Sequence, residues 1–206
     1  MSTTGPEIEV NGRTYRWPEQ PLVVVCIDGS EPDYIERAVA DGAMPFTAGM
    51  LARGSDLRAE SVVPSFTNPN NLSIVTGRPP AVHGICGNFF YDRDADAEVM
   101  MNDPALLRAP TIFSAFEREG ARIAVITAKD KLRRLLGDGL SHGAGGSICF
   151  SAEKADEATL AENGVEGVLD LTGLSLPSIY SADLSEFVFA AGVNLMESER
   201  PDLMYL

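Results

Sequence analysis

The chain has 206 residues, 45% of them apolar and 22% charged, which is enough for one sizeable core in an ordinary globular composition. Its formal charge of -14 argues against a nucleic-acid surface, because phosphate backbones are held by lysine and arginine. Residues 1–20 are polar, without a basic start or an apolar core, so neither a signal peptide nor a membrane span is expected. Cys26, Cys86 and Cys149, odd in number and widely spaced, suit reduced thiols in a cytoplasm better than a disulfide framework.

In chain order, residues 21–29 form an apolar, β-branched run of the kind found in a buried parallel strand. The run ends on Asp28 and Gly29. Ligands of open α/β sheets sit at the carboxyl ends of strands, so Asp28 is a site candidate, with a simple turn aspartate as the alternative. Helices are predicted over 31–39 and over 44–53, the second closed by Gly54, and a strand over 57–63.

The stretch 64–88 organises the rest. Pro69 suits the first helical position and Asn68 the cap before it, which leaves Thr67 at the mouth of a short helix. Leu72, Ile74 and Val75 are its apolar residues, and Gly77 followed by Pro79 and Pro80 ends it. Backbone N–H groups and the positive end of the dipole gather at such a mouth, so an anion is stabilised there, either a phosphate or the alkoxide of Thr67. The competing reading is a capped helix whose threonine only bonds its own backbone.

Beyond Asn88, strands are expected around the polar turn at 92–96, with Phe89, Phe90 and Tyr91 in the first. A helix over 111–119 ended by Gly120 and a strand over 121–127 follow. Asp130 is a candidate cap for a helix beginning at Lys131, whose first turn then carries Lys131, Arg133 and Arg134. Cations there oppose the dipole unless an anion occupies the spot; a solvated basic face is the alternative. Lys129 and Lys131 are two apart, and in extended chain both ammonium groups would lie on one side.

His142 is read as a solvated or locally bonded histidine ahead of a ligand role, and His83 as a structural hydrogen-bonding residue. A strand over 148–150, a helix capped by Ser151 and running to Asn163, a helix over 183–196 and a buried strand over 201–206 complete the chain. Leu184, Phe187, Val188, Ala191 and Leu195 share one side of the long helix. Strands alternating with helices predict an α/β fold with a doubly wound, mostly parallel sheet and helices on both faces.

Ile27-Asp28-Gly29, Phe66-Thr67-Asn68-Pro69-Asn70, Thr76-Gly77 with Pro80, and His83-Gly84-Ile85 through to Asn88 together resemble the alkaline phosphatase superfamily. The closer likeness is to its nucleotide pyrophosphatase/phosphodiesterase-like branch. The resemblance implies that Asp28 and Thr67 ligate zinc, that Thr67 is the nucleophile that becomes phosphorylated, and that Asn88 holds the phosphoryl oxygens. Ala128-Lys-Asp-Lys131, with residues 151–156 downstream, is similar to a branch member that splits the phosphorus–carbon bond of phosphonoacetate. There the two lysines, here Lys129 and Lys131, would hold the substrate carboxylate.

The chain departs from that pattern in its later ligands. A paired zinc site needs several imidazoles and carboxylates, and two histidines are too few. The relatives' Asp-x-x-x-His, Asp-His pair and final histidine have no equivalents. Residues 1–206 are therefore expected to be the N-terminal part of a single alkaline phosphatase-like catalytic domain, cut short at its C-terminal end. By itself such a part would bind zinc weakly and do no chemistry. Its expected partner is a small anionic substrate, with neither nucleic acid nor membrane, and its uncovered sheet edge would favour association into a homodimer. A phosphodiesterase or pyrophosphatase using Phe89, Phe90 and Tyr91 as a nucleobase slot, and an inactive anion-binding module, are the alternatives.

Overall fold

The structure is a computed structural model and describes residues 5–206. In chain order the elements are β1 (Glu7–Val10), β2 (Arg13–Arg16), β3 (Leu22–Val24), α1 (Pro32–Ala40), α2 (Pro45–Arg53), α3 (Thr67–Thr76), α4 (Pro80–His83), β4 (Phe89–Asp92) and β5 (Ala97–Met100). They continue with α5 (Ile112–Arg118), β6 (Ile123–Thr127), α6 (Asp130–Leu136), β7 (Ile148–Ser151), α7 (Leu160–Asn163), α8 (Val168–Thr172), α9 (Asp183–Ser198) and β8 (Leu203–Tyr205). The chain divides into two compact units, Cys26–Ser61 and the rest, Met1–Val25 with Val62–Leu206.

The larger unit is built on a four-stranded sheet of order β3-β8-β6-β7, parallel throughout. Every residue of β6, β7 and β8 is buried, as expected when helices cover both faces of a parallel sheet. On one face Ala124, Ile126, Ile148, Phe150 and Met204 pack with Phe187, Ala191 and Leu195 of α9. Gly192 sits where α9 approaches the sheet: a β-carbon there would lie 3.0 Å from Leu206 and 3.5 Å from Met204. Larger residues would push the helix off its seat. On the other face the Tyr205 ring meets Phe113 edge-on at 5.5 Å and its hydroxyl donates to Asn71 Oδ1 at 2.7 Å. That bond ties α3 to the central strand.

The doubly wound parallel sheet is as the sequence predicts, and so are both ends of α5, the buried residues of α9 and the turn between β4 and β5. Several local expectations differ. The run 21–29 pairs over only three residues, because β8 offers only three partners, and its residues are half-exposed since β3 is the edge strand. Residues 57–63 form no strand; Leu57 and Val63 are exposed, and Val62 gives its N–H to the Asn70 side chain at 3.0 Å instead of to a neighbouring strand. The segment after Ser151 breaks into a 3₁₀ turn, Ala152–Glu157, and the short α7. Ser151 stands at the cap position of that turn, as expected, but makes no side-chain cap bond; its hydroxyl donates to Asp130 Oδ1 at 3.2 Å.

The hairpin β1–β2 was not foreseen from hydropathy. Its signal is Asn11-Gly12: both residues have positive φ, 53° and 67°, the pairing that a tight hairpin turn requires. Asn11 also donates Nδ2 to Thr76 O and Pro110 O, both at 2.9 Å, so the hairpin anchors the C-terminal end of α3.

In the smaller unit α1 and α2 carry no buried residue. Arg58 bonds Glu36 at 2.5 Å. Asp28 lies here, exposed, in the turn before α1, four residues beyond the end of β3 and so not at a strand end as expected. Among the described residues no helix is long and apolar enough to cross a membrane.

Candidate active site

The site is assembled at the carboxyl end of β6, where open parallel sheets place their ligands. Thr127 ends that strand, Lys129 follows extended at φ -113°, ψ 143°, and Asp130 begins α6. Three hydrogen bonds fix this corner. Thr127 Oγ1 donates to Lys129 O at 2.9 Å, Glu153 N–H to Ala128 O at 3.0 Å, and Asp130 N–H to Glu153 Oε2 at 2.8 Å. A charged acceptor makes the last the strongest of the three. Asp130 is inside α6 and does not cap it. Its carboxylate takes Arg133 Nε at 2.6 Å, so the arginine that seemed to burden the helix start is neutralised by its own neighbour.

Opposite stands the start of α3. The cap is Phe66 rather than Asn68, with no side-chain cap bond, because Asn68 already has helical geometry and its buried side chain is used elsewhere. Asn68 Nδ2 donates to Met101 O at 2.7 Å, Met101 N–H to Asn88 O at 2.8 Å, and Asn68 N–H to Asn88 Oδ1 at 3.2 Å. These bonds close a ring that fixes the Asn88 amide. An N–H must point at an oxygen, so Oδ1 faces Asn68 and Nδ2 is the end of Asn88 left to donate. The helix ends as expected at Gly77, left-handed at φ 64°, but Ile74 is exposed while Leu72 and Val75 are buried.

A second set of bonds supports this turn from behind. His83 is wholly buried; its Nδ1 accepts from Ile85 N–H at 3.2 Å, which leaves the proton on Nε2. Nε2 lies 3.0 Å from Ser73 Oγ, and Ser73 donates to Pro69 O at 2.7 Å. Burial holds the His83 pKa below its ordinary value, against a smaller upward pull from the Pro69 backbone, so the ring is neutral. The structural role expected for it is what the bonds describe.

Thr67, Asn68, Asn88, Phe89, Met100, Lys129, Lys131 and Leu132 line one pocket of about 180 Å³. The structure thus brings four sequence-predicted residues together, Thr67, Asn88, Lys129 and Lys131. The lysines converge by another route than the one expected, since Lys129 is extended and Lys131 helical. Lys129 Nζ also sits 4.6 Å from the ring centroid of Tyr180, a cation–π contact that nothing in the local sequence signals. Asp28 belongs to the other unit. His142 is locally bonded, its Nδ1 2.7 Å from Ser147 O. Among the described residues no three His, Cys, Asp or Glu side chains gather to hold a metal ion, so the residues present do not by themselves make a zinc site. Cys149 is buried and its thiol is pushed up to about 12 by desolvation, far from a reactive thiolate.

A pocket at the carboxyl edge of a parallel sheet, lined by a helix start, an asparagine and two lysines, suits a small anion. Comparison with known proteins agrees in kind. The family described as type I phosphodiesterase / nucleotide pyrophosphatase matches residues 22–133, more than half of the chain, and the chain belongs to that family. The particular likeness is closer. Crystal structures of phosphonoacetate hydrolase from Sinorhizobium meliloti 1021, one in complex with phosphonoformate and one with phosphonoacetate, share 57% identity and a TM-score of 0.94 with this chain. Each match covers 98% of this chain and 49% of that one. Among curated relatives, an ectonucleotide pyrophosphatase/phosphodiesterase of Caenorhabditis elegans is 30% identical over 105 residues, 48% of this chain and 13% of its own length. An uncharacterized pyrophosphatase/phosphodiesterase of Schizosaccharomyces pombe is 30% identical over 118 residues, 52% and 23% respectively. The chain thus spans about half the length of the solved hydrolase and under a quarter of these curated relatives.

Proposed function

We propose that this chain is the N-terminal part of a catalytic domain that hydrolyses the phosphorus–carbon bond of phosphonoacetate to acetate and phosphate. The observation that carries the reading is the single pocket shared by Thr67, Asn88, Lys129 and Lys131; the likeness to a phosphonoacetate hydrolase supports it. Thr67 Oγ attacks phosphorus, forming an O–P bond as the P–C bond breaks. The electron pair of that bond passes to the departing CH₂ carbon and is delocalised into the carboxylate as an enolate, which takes a proton to become acetate. Water then cleaves phosphothreonine, releasing phosphate and restoring the hydroxyl.

Each residue has its physical share. The first turn of α3 and the Asn88 Nδ2 donor favour negative oxygen at phosphorus. Lys129 and Lys131 bind the carboxylate and stabilise the extra charge it takes on as the bond breaks, which lowers the barrier rather than merely tightening binding. Zinc, as two ions, is the cofactor that goes with this reading, with Asp28 and Thr67 among its ligands. The described residues form no metal cluster, and the chain alone is proposed to be inactive. A cytoplasmic location belongs to the same proposal, in keeping with three free cysteines.

Titration of phosphonoacetate and of inorganic phosphate into wild-type and Lys129→Ala protein tests this. Lys129 is exposed, so its ion pair is worth about 0.5–1 kcal/mol, a loss of about two- to five-fold for phosphonoacetate with phosphate unchanged. Equal losses on both anions would refute the role. A second reading, a phosphodiesterase or nucleotide pyrophosphatase, is favoured by Phe89, which lines the pocket and with Tyr91 is more than half exposed on β4, as a base-stacking surface requires. In the complete enzyme, turnover of an aryl phosphodiester above that of phosphonoacetate would select it. A third, an inactive anion-binding module, would be ruled out by trapping a phosphorylated Thr67 from substrate in the complete enzyme.

A further inference from the structure

The chain holds three lysines, Lys129, Lys131 and Lys154, against a formal charge of -14. In so acidic a chain a lysine is expected to find a carboxylate, as Lys154 does on Glu157 at 3.0 Å. Lys129 and Lys131 differ: among the described residues neither has an ion pair, although two acids lie close by. Asp130 is taken by Arg133 Nε at 2.6 Å and the Ser151 hydroxyl at 3.2 Å, and Glu153 by the Asp130 N–H at 2.8 Å. Two exposed ammonium groups lining one small pocket repel each other, and each rides on a flexible stem that can swing into water.

Lys129 is held by a ring instead. Its Nζ lies 4.6 Å from the Tyr180 centroid, inside the range in which an aromatic face attracts a cation. Tyr180 comes from the loop between α8 and α9. Ser181 donates both N–H and Oγ to Ser178 O, at 3.1 and 2.9 Å, which closes the turn that carries the ring, and buried Pro177 and Leu184 anchor the loop on either side. The ring itself is 90% exposed. A lone exposed aromatic is ordinary; the cation on its face gives this one a task.

We propose that Tyr180 is a positioning residue that holds the Lys129 ammonium in the pocket, beside Lys131, for the carboxylate of the substrate. This role rests on the reading of Lys129 as a carboxylate-binding residue. A ring suits it for an electrostatic reason. A carboxylate partner would neutralise the ammonium and compete with the substrate for it, whereas a π face attracts the cation and leaves its charge and N–H donors available. Tyr180 does not line the pocket, so its influence passes through Lys129 and reaches only a ligand group that Lys129 touches.

Titration of phosphonoacetate and of inorganic phosphate into wild type, Tyr180→Leu, Tyr180→Phe and Lys129→Ala tests the role. Leucine keeps an apolar side chain without a π face, and phenylalanine keeps the face. Tyr180→Leu is expected to weaken phosphonoacetate binding about two- to five-fold, no more than Lys129→Ala does, with phosphate unchanged, and Tyr180→Phe should bind as wild type does. Added to Lys129→Ala, Tyr180→Leu should cost nothing further. By NMR, the Lys129 ε-methylene protons should be shifted upfield by the ring current in wild type and Tyr180→Phe, and should move to the position of those of Lys131 in Tyr180→Leu. Unchanged or tighter phosphonoacetate binding by Tyr180→Leu, an equal loss for both anions, a loss in Tyr180→Phe as large as in Tyr180→Leu, or a further loss on top of Lys129→Ala would each overturn the role of Tyr180. If Lys129→Ala weakens both anions equally, or wild type binds no phosphonoacetate, the carboxylate reading fails and takes this role with it. A selective loss in Lys129→Ala with none in Tyr180→Leu refutes the role of Tyr180 alone.

Discussion

Ser73→Ala probes the support behind the nucleophile helix. In the native chain Ser73 Oγ accepts from His83 Nε2–H and donates to Pro69 O, two residues beyond Thr67. Alanine removes both bonds. The larger loss falls on His83, which is wholly buried and keeps an N–H with no acceptor, a cost of about 1–3 kcal/mol. Ser73 is only half-buried, so water partly replaces the hydroxyl and the middle of that range, about 2 kcal/mol, is expected. For a chain of this size that lowers Tm by about 4–8 °C. Urea unfolding followed by circular dichroism measures it, with unchanged m-values required for the comparison. A loss below about 0.5 kcal/mol would show that the Ser73–His83 bond supports nothing, and with it would go the account of how α3 is held.

His83 and Cys149 yield two more expectations. Burial lowers the folded-state pKa of His83 below its unfolded value near 6.5, so its contribution to stability is complete above about pH 6.5 and is lost as pH falls through the lowered folded value. The slope from this one group is at most about 1.4 kcal/mol per pH unit. Urea midpoints between pH 5 and 8 should fall on the acid side for wild type and fall less for His83→Gln; parallel profiles would contradict the buried neutral ring. Cys149, with its thiol pushed up to about 12, should resist a thiol reagent at pH 8 in the native chain and react only in denaturant. Exposed Cys86 should react at once. Rapid labelling of Cys149 in folded protein would mean that the sheet face it lies on opens freely.

How much of this was legible beforehand varies with the range over which each cause acts. Local causes are written in the chain. The helix ends at Gly77 because a left-handed residue is needed there; the buried side of α9 repeats at helical spacing; the all-apolar β6 has a composition that only a doubly covered sheet accommodates. From these the parallel α/β fold follows, whereas Thr67, Asn88, Lys129 and Lys131 are singled out as a set by the resemblance to the family.

Causes acting between distant segments are not written there. Whether 21–29 and 57–63 are strands depended on what they could pair with. β8 offered three partners to the first, and the second found only a side chain. Asn68 looked like a cap because asparagine is a preferred capping residue and Pro69 suits the first helical position; Met101, thirty-three residues away, took its side chain instead. The amide orientation of Asn88, the convergence of an extended Lys129 with a helical Lys131, and the ring of Tyr180 over Lys129 likewise depend on which surfaces the sheet brings together. A residue type and its spacing name the chemistry a side chain can do, whereas its partners are chosen by the packing of segments far apart in sequence.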